Sequence, residues 1–172
     1  MVNSGDRQVQ DSLGEAMKVR LATSAEAEEC WNIRNQAIRH GCKSSYDAAI
    51  IEAWTPAAMP EGYRRVIAEN PFFVVDGPGN KPVATGFLDL SAGSVEAVFT
   101  LPEHLGKGFG SLIIDAIKDE ARRQGFEELI LSSTPNAQSF YEKHGFTLVR
   151  ESLYPSGLTQ TDLRCMDMFS KI

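Results

Sequence analysis

One segment constrains the fold more than any other. From Ser94 to Thr100 the residues read as a strand, and a glycine-dense turn comes next at Leu105-Gly106-Lys107-Gly108-Phe109-Gly110-Ser111. The apolar period then changes from two to roughly 3.6, so that Leu112, Ile113, Ala116, Ile117 and Ala121 share a helix face until Gly125 stops it. Glu128 to Ser132 reads as a buried strand, Pro135 to His144 as a helix ended by Gly145, and Phe146 to Glu151 as a further strand. Strands alternating with helices must bury both on a common sheet. A helix that opens directly from glycines also leaves several backbone N–H groups unpaired at the positive end of its dipole, which suits phosphate oxygens. A turn that serves only chain geometry is the alternative.

Upstream, Val19 and Leu21 alternate as a strand that starts near Met17. Thr23 or Ser24 can cap a helix from Ala25 to about His40, with Ala27, Trp31, Ile33, Ala37 and Ile38 apolar and Gly41 ending it. Helices over Asp47 to Trp54 and Pro60 to Glu69 come after it. Phe72 to Val75, Pro82 to Leu90 and Val95 to Thr100 form a strand meander, and Arg164 to Phe169 makes the last strand. The fold class is therefore mixed α/β: a single domain over residues 17–172, with a central twisted sheet of six to seven strands and helices on both faces. Residues 1–16 are polar, lack a core period, and read as a mobile arm.

Charge and cysteine content narrow the function classes. A formal net charge of −6 disfavours general binding to nucleic acid or an anionic membrane. Cys30, Cys42 and Cys165 are odd in number and lack metal-ligand spacing, so no disulfide framework and no metal site are expected. No apolar run is long enough to span a membrane and no signal segment opens the chain, which makes cytoplasm the default location.

The glycine turn fits neither common phosphate motif. Lys107 is followed by Gly108 instead of Ser or Thr, which excludes a P-loop, and the spacing G-x-G-x-G is not that of a dinucleotide fold. With Pro102 before it, Leu105-Gly106-Lys107-Gly108-Phe109-Gly110 resembles the central signature of the GNAT superfamily of N-acetyltransferases, with Leu105 standing where that family has Gln or Arg. Asn136-Ala137-Gln138-Ser139-Phe140-Tyr141-Glu142-Lys143-His144-Gly145-Phe146 matches the family's second signature in full.

The resemblance implies acetyl-CoA as co-substrate. Its pyrophosphate would lie on Gly106, Lys107, Gly108, Phe109, Gly110 and Ser111, its pantetheine arm along the backbone of Val98, Phe99 and Thr100, and Asn136 and Phe140 would complete the site. Asn136 or Thr134 can instead cap the last helix. Transfer to an amine needs a base, a polarised carbonyl and an acid for the leaving thiolate. The family's general acid falls on Tyr141, for which a packed aromatic is the alternative.

Glu96 is the candidate base, on the strand before the turn. A period of two puts Val95 and Ala97 on one face and Glu96 and Val98 on the other, and Glu96 is either cleft-facing or a plain edge charge. A common family position falls on Ser94, and Asp89 is the reserve. His40 and His104 sit in polar turns, and His144 ends a helix where a cation suits the dipole. With no cysteine in either signature, direct transfer in a ternary complex is expected. A CoA-binding module without turnover and an interaction domain without cofactor are the rivals. The acceptor, an unidentified small-molecule or peptide amine, would be held by the region from Trp31 to Trp54 and by Tyr154 to Asp162. A homodimer stays open.

Overall fold

The computed structural model describes residues 8–10 and 16–172. Strand β1 (Gln8–Gln10) pairs antiparallel with β2 (Ala16–Leu21). Both touch the stretch expected to be an arm; its other residues, 1–7 and 11–15, lie outside the described residues. Three helices come next, α1 (Ala27–Gly41), α2 (Ala48–Trp54) and α3 (Glu61–Glu69), then β3 (Phe72–Asp76), β4 (Pro82–Asp89) and β5 (Ser94–Thr100). The chain closes with α4 (Phe109–Arg123), β6 (Glu128–Ser133), α5 (Gln138–Lys143), β7 (Thr147–Ser156) and β8 (Thr161–Lys171). Helix α1 begins later than expected because Ser24–Glu26 form a 3-10 turn first. The Glu26 carboxylate reaches back to accept the Thr23 N–H at 2.9 Å and also takes Arg20, which holds that turn in place.

The strands run in the order β1-β2-β3-β4-β5-β6-β8-β7, seven from β2 onward with β1 added at the edge. Neighbours are antiparallel except β5 and β6, which are parallel and in register only at Ser94 and Ile130. Beyond that point the two strands part, and the β6-facing edge of β5 is left without a ladder partner.

Each face of the sheet has its own core. Phe109, Ile113 and Ile117 of α4 are fully buried against Val75, Leu88, Leu129 and Met168, and Tyr141 and Phe146 extend this cluster. On the other face Ala27 and Cys30 of α1 pack with Phe72 and Val74, and Ile38 and Cys42 pack with Phe99. Helix α1 packs mainly on β4 and β5. Ile130 is 46% exposed and Ser132 is open, so that face is uncovered around β6, whereas Leu163 and Cys165 of β8 are buried where Tyr46 donates to the Arg164 carbonyl.

A β-bulge at the site overturns the expected alternation along β5. Phe87 opposes Glu96 and Thr85 opposes Phe99, so Gly86 alone faces both Ala97 and Val98. Ala97 adopts φ 53°, and Thr85 Oγ1 donates to its carbonyl at 2.9 Å. The extra residue reverses the faces of the strand beyond it. Val98 lies with Val95 on the α4 side, whereas Glu96 and Phe99 share the other face. Gly86 is required beneath the bulge, because a Cβ there would meet Ile113 Cγ2 at 2.3 Å.

Candidate functional site

Two glycines in the turn are there for backbone conformation and one for contact. Gly106 and Gly108 have φ of 77° and 85°. Gly110 has ordinary dihedrals, but its added Cβ would stand 3.0 Å from the Phe140 ring, so the glycine lets α5 close on the start of α4. Gly108 is the N-cap of α4 and no side chain caps it, leaving the first amides of a fifteen-residue helix for a ligand. Phe109 itself is 1% exposed and buried in the core, so it offers only its backbone N–H.

These amides open onto a cavity of about 490 Å³. Of the residues expected to bind cofactor, Val98, Phe99, Thr100, Gly106, Gly108, Phe109, Gly110, Ser111, Asn136 and Phe140 line it. Lys107 is exposed and outside the lining. Leu105 lines the mouth at 52% exposure and offers no donor there beyond its backbone. An acyl-CoA fits this wall: a cationic helix end for phosphate, an unpaired strand edge for an amide-bearing arm, and His104 Nδ1, which is sealed from solvent and has no partner among the described residues.

Several wall residues were expected on the acceptor side and not at the cofactor cavity. The last turn of α1 contributes Ile38, His40, Gly41 and Cys42. His40 and His104 thus stand at the cavity and not merely in polar turns. Neither Asn136 nor Thr134 caps a helix through its side chain. Asn136 Oδ1 accepts the Cys42 thiol at 3.4 Å instead, which ties α1 to the segment before α5. His144 Nε2 sits 3.0 Å from Ser111 Oγ, and burial, with Lys118 nearby, lowers its pKa against the pull of Asp115. Its role is to hold the start of α4, and neutral imidazole is favoured over the expected helix-end cation. A polar side chain on the buried side of an amphipathic turn is the signal that could have flagged it.

The two candidate catalytic groups flank the parting of β5 and β6. Tyr141 is buried, with its ring edge-on to Phe146 at 5.9 Å and to Phe140 at 5.2 Å. Burial, and then the charge of Glu96, push its phenol well above the ordinary tyrosine range, so it keeps its proton. Glu96 lies on the opposite face, in a second hollow of about 390 Å³ over the uncovered part of β6 with Ser94, Ile130, Ser132 and Asp167. Burial raises its pKa, a hydrogen bond from Ser94 Oγ at 2.8 Å lowers it, and Asp89 raises it further. Asp89 itself accepts the Ser91 and Ala92 amides at 2.9 and 3.2 Å and shapes the turn before β5.

Solved structures share this fold over most of the chain. A GCN5-related N-acetyltransferase structure from Rhodopseudomonas palustris superposes with TM-score 0.82 at 18% identity, over 96% of this chain and 98% of that one. The PaiA N-acetyltransferase of Thermoplasma acidophilum, solved with coenzyme A, superposes with TM-score 0.73 at 17% identity, over 92% of this chain and all (100%) of that one. Identity this low establishes a shared fold. By sequence, an uncharacterized acetyltransferase of Streptococcus pyogenes serotype M1 is 35% identical over 71 residues, 39% of this chain and 49% of that protein. The uncharacterized N-acetyltransferase YjcF of Bacillus subtilis is 32% identical over 75 residues, 42% of this chain and 54% of that protein. The chain therefore spans about half the length of these curated relatives. Residues 41–166 match the model of the acetyltransferase (GNAT) domain, and on that match the chain belongs to the GNAT acetyltransferase family.

Proposed function

We propose that this chain moves an acetyl group from acetyl-CoA to a primary amine by direct transfer in a ternary complex. The observation that carries the reading is the placement of Glu96 and Tyr141. They lie within electrostatic reach of each other, on opposite faces, beside the gap where β5 leaves β6. Relatives of the same fold that are solved with coenzyme A or acetyl-CoA support the choice of co-substrate.

The thioester supplies an activated acetyl group and a thiolate leaving group. The amides of Gly108, Phe109, Gly110 and Ser111 bind the pyrophosphate, and the free edge of β5 aligns the arm. Glu96, held by Ser94, accepts the amine proton directly or through water. Tyr141 donates a proton to the departing sulfur, and its raised pKa keeps that proton available at neutral pH. Two measurements test this. Acetyl-CoA should raise the melting temperature, and a panel of amines should release free thiol. No thermal shift at millimolar acetyl-CoA sinks the whole reading. A shift without thiol release from any amine leaves a binding module, the alternative that Leu105 keeps open.

A further inference from the structure

Arg34 is the one buried arginine of the described residues, at 9% exposure, and it has no carboxylate within ion-pair distance among them. A guanidinium taken out of water without a counter-charge costs several kcal/mol at least. Its Nη1 donates to the Trp54 carbonyl and to Asn35 Oδ1, both at 2.8 Å. That contact alone does not account for a buried cation. Trp31 and Asn35 already bind the Pro56 carbonyl at 2.8 Å each, and the exposed Arg39 holds Thr55. A neutral donor at position 34 would complete this clamp without the cost of burial.

The rest of the guanidinium is turned to other use. Nε and Nη2 donate to nothing among the described residues, yet neither is sealed from solvent. Together they form one edge of the fork, the edge that takes a carboxylate through two parallel hydrogen bonds. The plane is fixed by the Trp31 ring, 4.2 Å from the guanidinium carbon, with Trp54 at 5.8 Å. Burial lowers the pKa to about 10, with Tyr63 and Tyr154 raising it, so the group stays charged at neutral pH. Tyr63 Oη, within electrostatic reach of the guanidinium, is sealed from solvent and without a partner among the described residues.

The position suits an acceptor. Cys30, Arg34 and Ile38 lie one turn apart on the sheet-facing side of α1. Cys30 packs into the cluster that Phe87 joins, and Phe87 is the register partner of Glu96; Ile38 packs against Phe99. Arg34 therefore stands over the row of the sheet that carries Glu96, and Tyr154 brings the β7 edge to the same place.

We infer that Arg34 anchors a carboxylate of the acceptor, so that the substrate class is small amines that also carry an acid group, such as amino acids. This rests on the acetyltransferase reading above. The test offers matched pairs, an amino acid and its own amide, to CoA-loaded protein for thermal shift, and to protein with acetyl-CoA for thiol release. The amide's amine is less basic and more of it is neutral, so intrinsic reactivity favours the amide. The acid is nevertheless expected to be preferred by about ten- to a hundredfold in kcat/KM. Arg34→Met should abolish that preference and keep the CoA-induced shift. Arg34→Lys, with the charge but not the fork, should fall between. Equal use of acid and amide by the wild type, no acid bound or used, or an Arg34→Met protein that keeps the preference, overturns the assignment. The wild-type comparison needs no variant to fold. Absence of the CoA shift overturns the acetyltransferase reading instead, whereas a CoA shift without acid preference overturns only the role of Arg34.

Discussion

Burial and hydrogen bonding act on Glu96 in opposite directions, and that balance sets where it can work as a base. Burial raises the pKa and the Ser94 hydroxyl lowers it, so removing the hydroxyl leaves burial unopposed. Ser94→Ala should therefore move the rising limb of the kcat/KM profile to higher pH. Glu96→Gln should remove the limb and lower the rate by about a hundredfold or more. A raised carboxylate pKa means that ionisation costs folding stability as pH rises through it. Glu96→Gln should then be no less stable than wild type at neutral pH, which separates lost chemistry from a lost fold. An unmoved limb in Ser94→Ala would deny Ser94 its positioning role. Tyr141→Phe keeps the ring contacts and removes the proton, so kcat should drop about a hundredfold with cofactor binding intact. If cofactor binding is lost instead, Tyr141 is a wall residue. Tyr141 is legible in the sequence because its motif fixes its spacing from the helix-ending Gly145. The face of Glu96 is legible only by accident of the first half of β5. The bulge depends on a glycine one strand away, and no period within β5 announces it.

At the scale of elements, local signals succeed wherever one face of an element is buried. Helix α4 has alternating burial and a glycine at each end, and its bounds come from both. The β7–β8 hairpin extends well beyond the expected strands because β7 is exposed along nearly its whole length. With water on both sides there is no apolar alternation to read. Arg34 is illegible for the reverse reason: a charged residue inside an apolar stripe reads as a surface position. The turn before α4 makes a prediction of its own. Gly108→Asp puts a side chain where φ is 85° and a negative charge where phosphate should sit. The variant should lose the acetyl-CoA thermal shift and tolerate the change in the ligand-free protein better than a core substitution. Retention of the full shift would move the anion site away from this helix end.

For the whole molecule, the sequence order of strands and helices implies one mixed sheet, but not that its helices leave one face uncovered around β6. That opening arises because α1 and α3 pack mainly on β3, β4 and β5, and it places Glu96 at the edge of cover. The same side of the protein is tied together at its other end by Arg20. Its guanidinium bonds Glu26 at 2.9 and 2.7 Å and Asp76 at 2.7 and 2.9 Å, joining β2, the turn before α1, and β3. The Arg20 hydrogen bonds are the main cause that holds the Glu26 carboxyl down to about 2. A depressed carboxylate pKa contributes stability that is present above the unfolded value and lost as pH falls toward the folded one. Arg20 keeps its charge throughout. Glu26→Gln should thus lower the melting temperature at pH 7 by about 1–4 °C, a modest amount because the pair is partly solvated. The difference should shrink below pH 4.5 and vanish near about pH 2. Melting curves of both proteins between pH 7 and pH 2 check this. A gap that stays constant through that range would mean that Glu26 acts through its shape and its bond to Thr23, not through its charge.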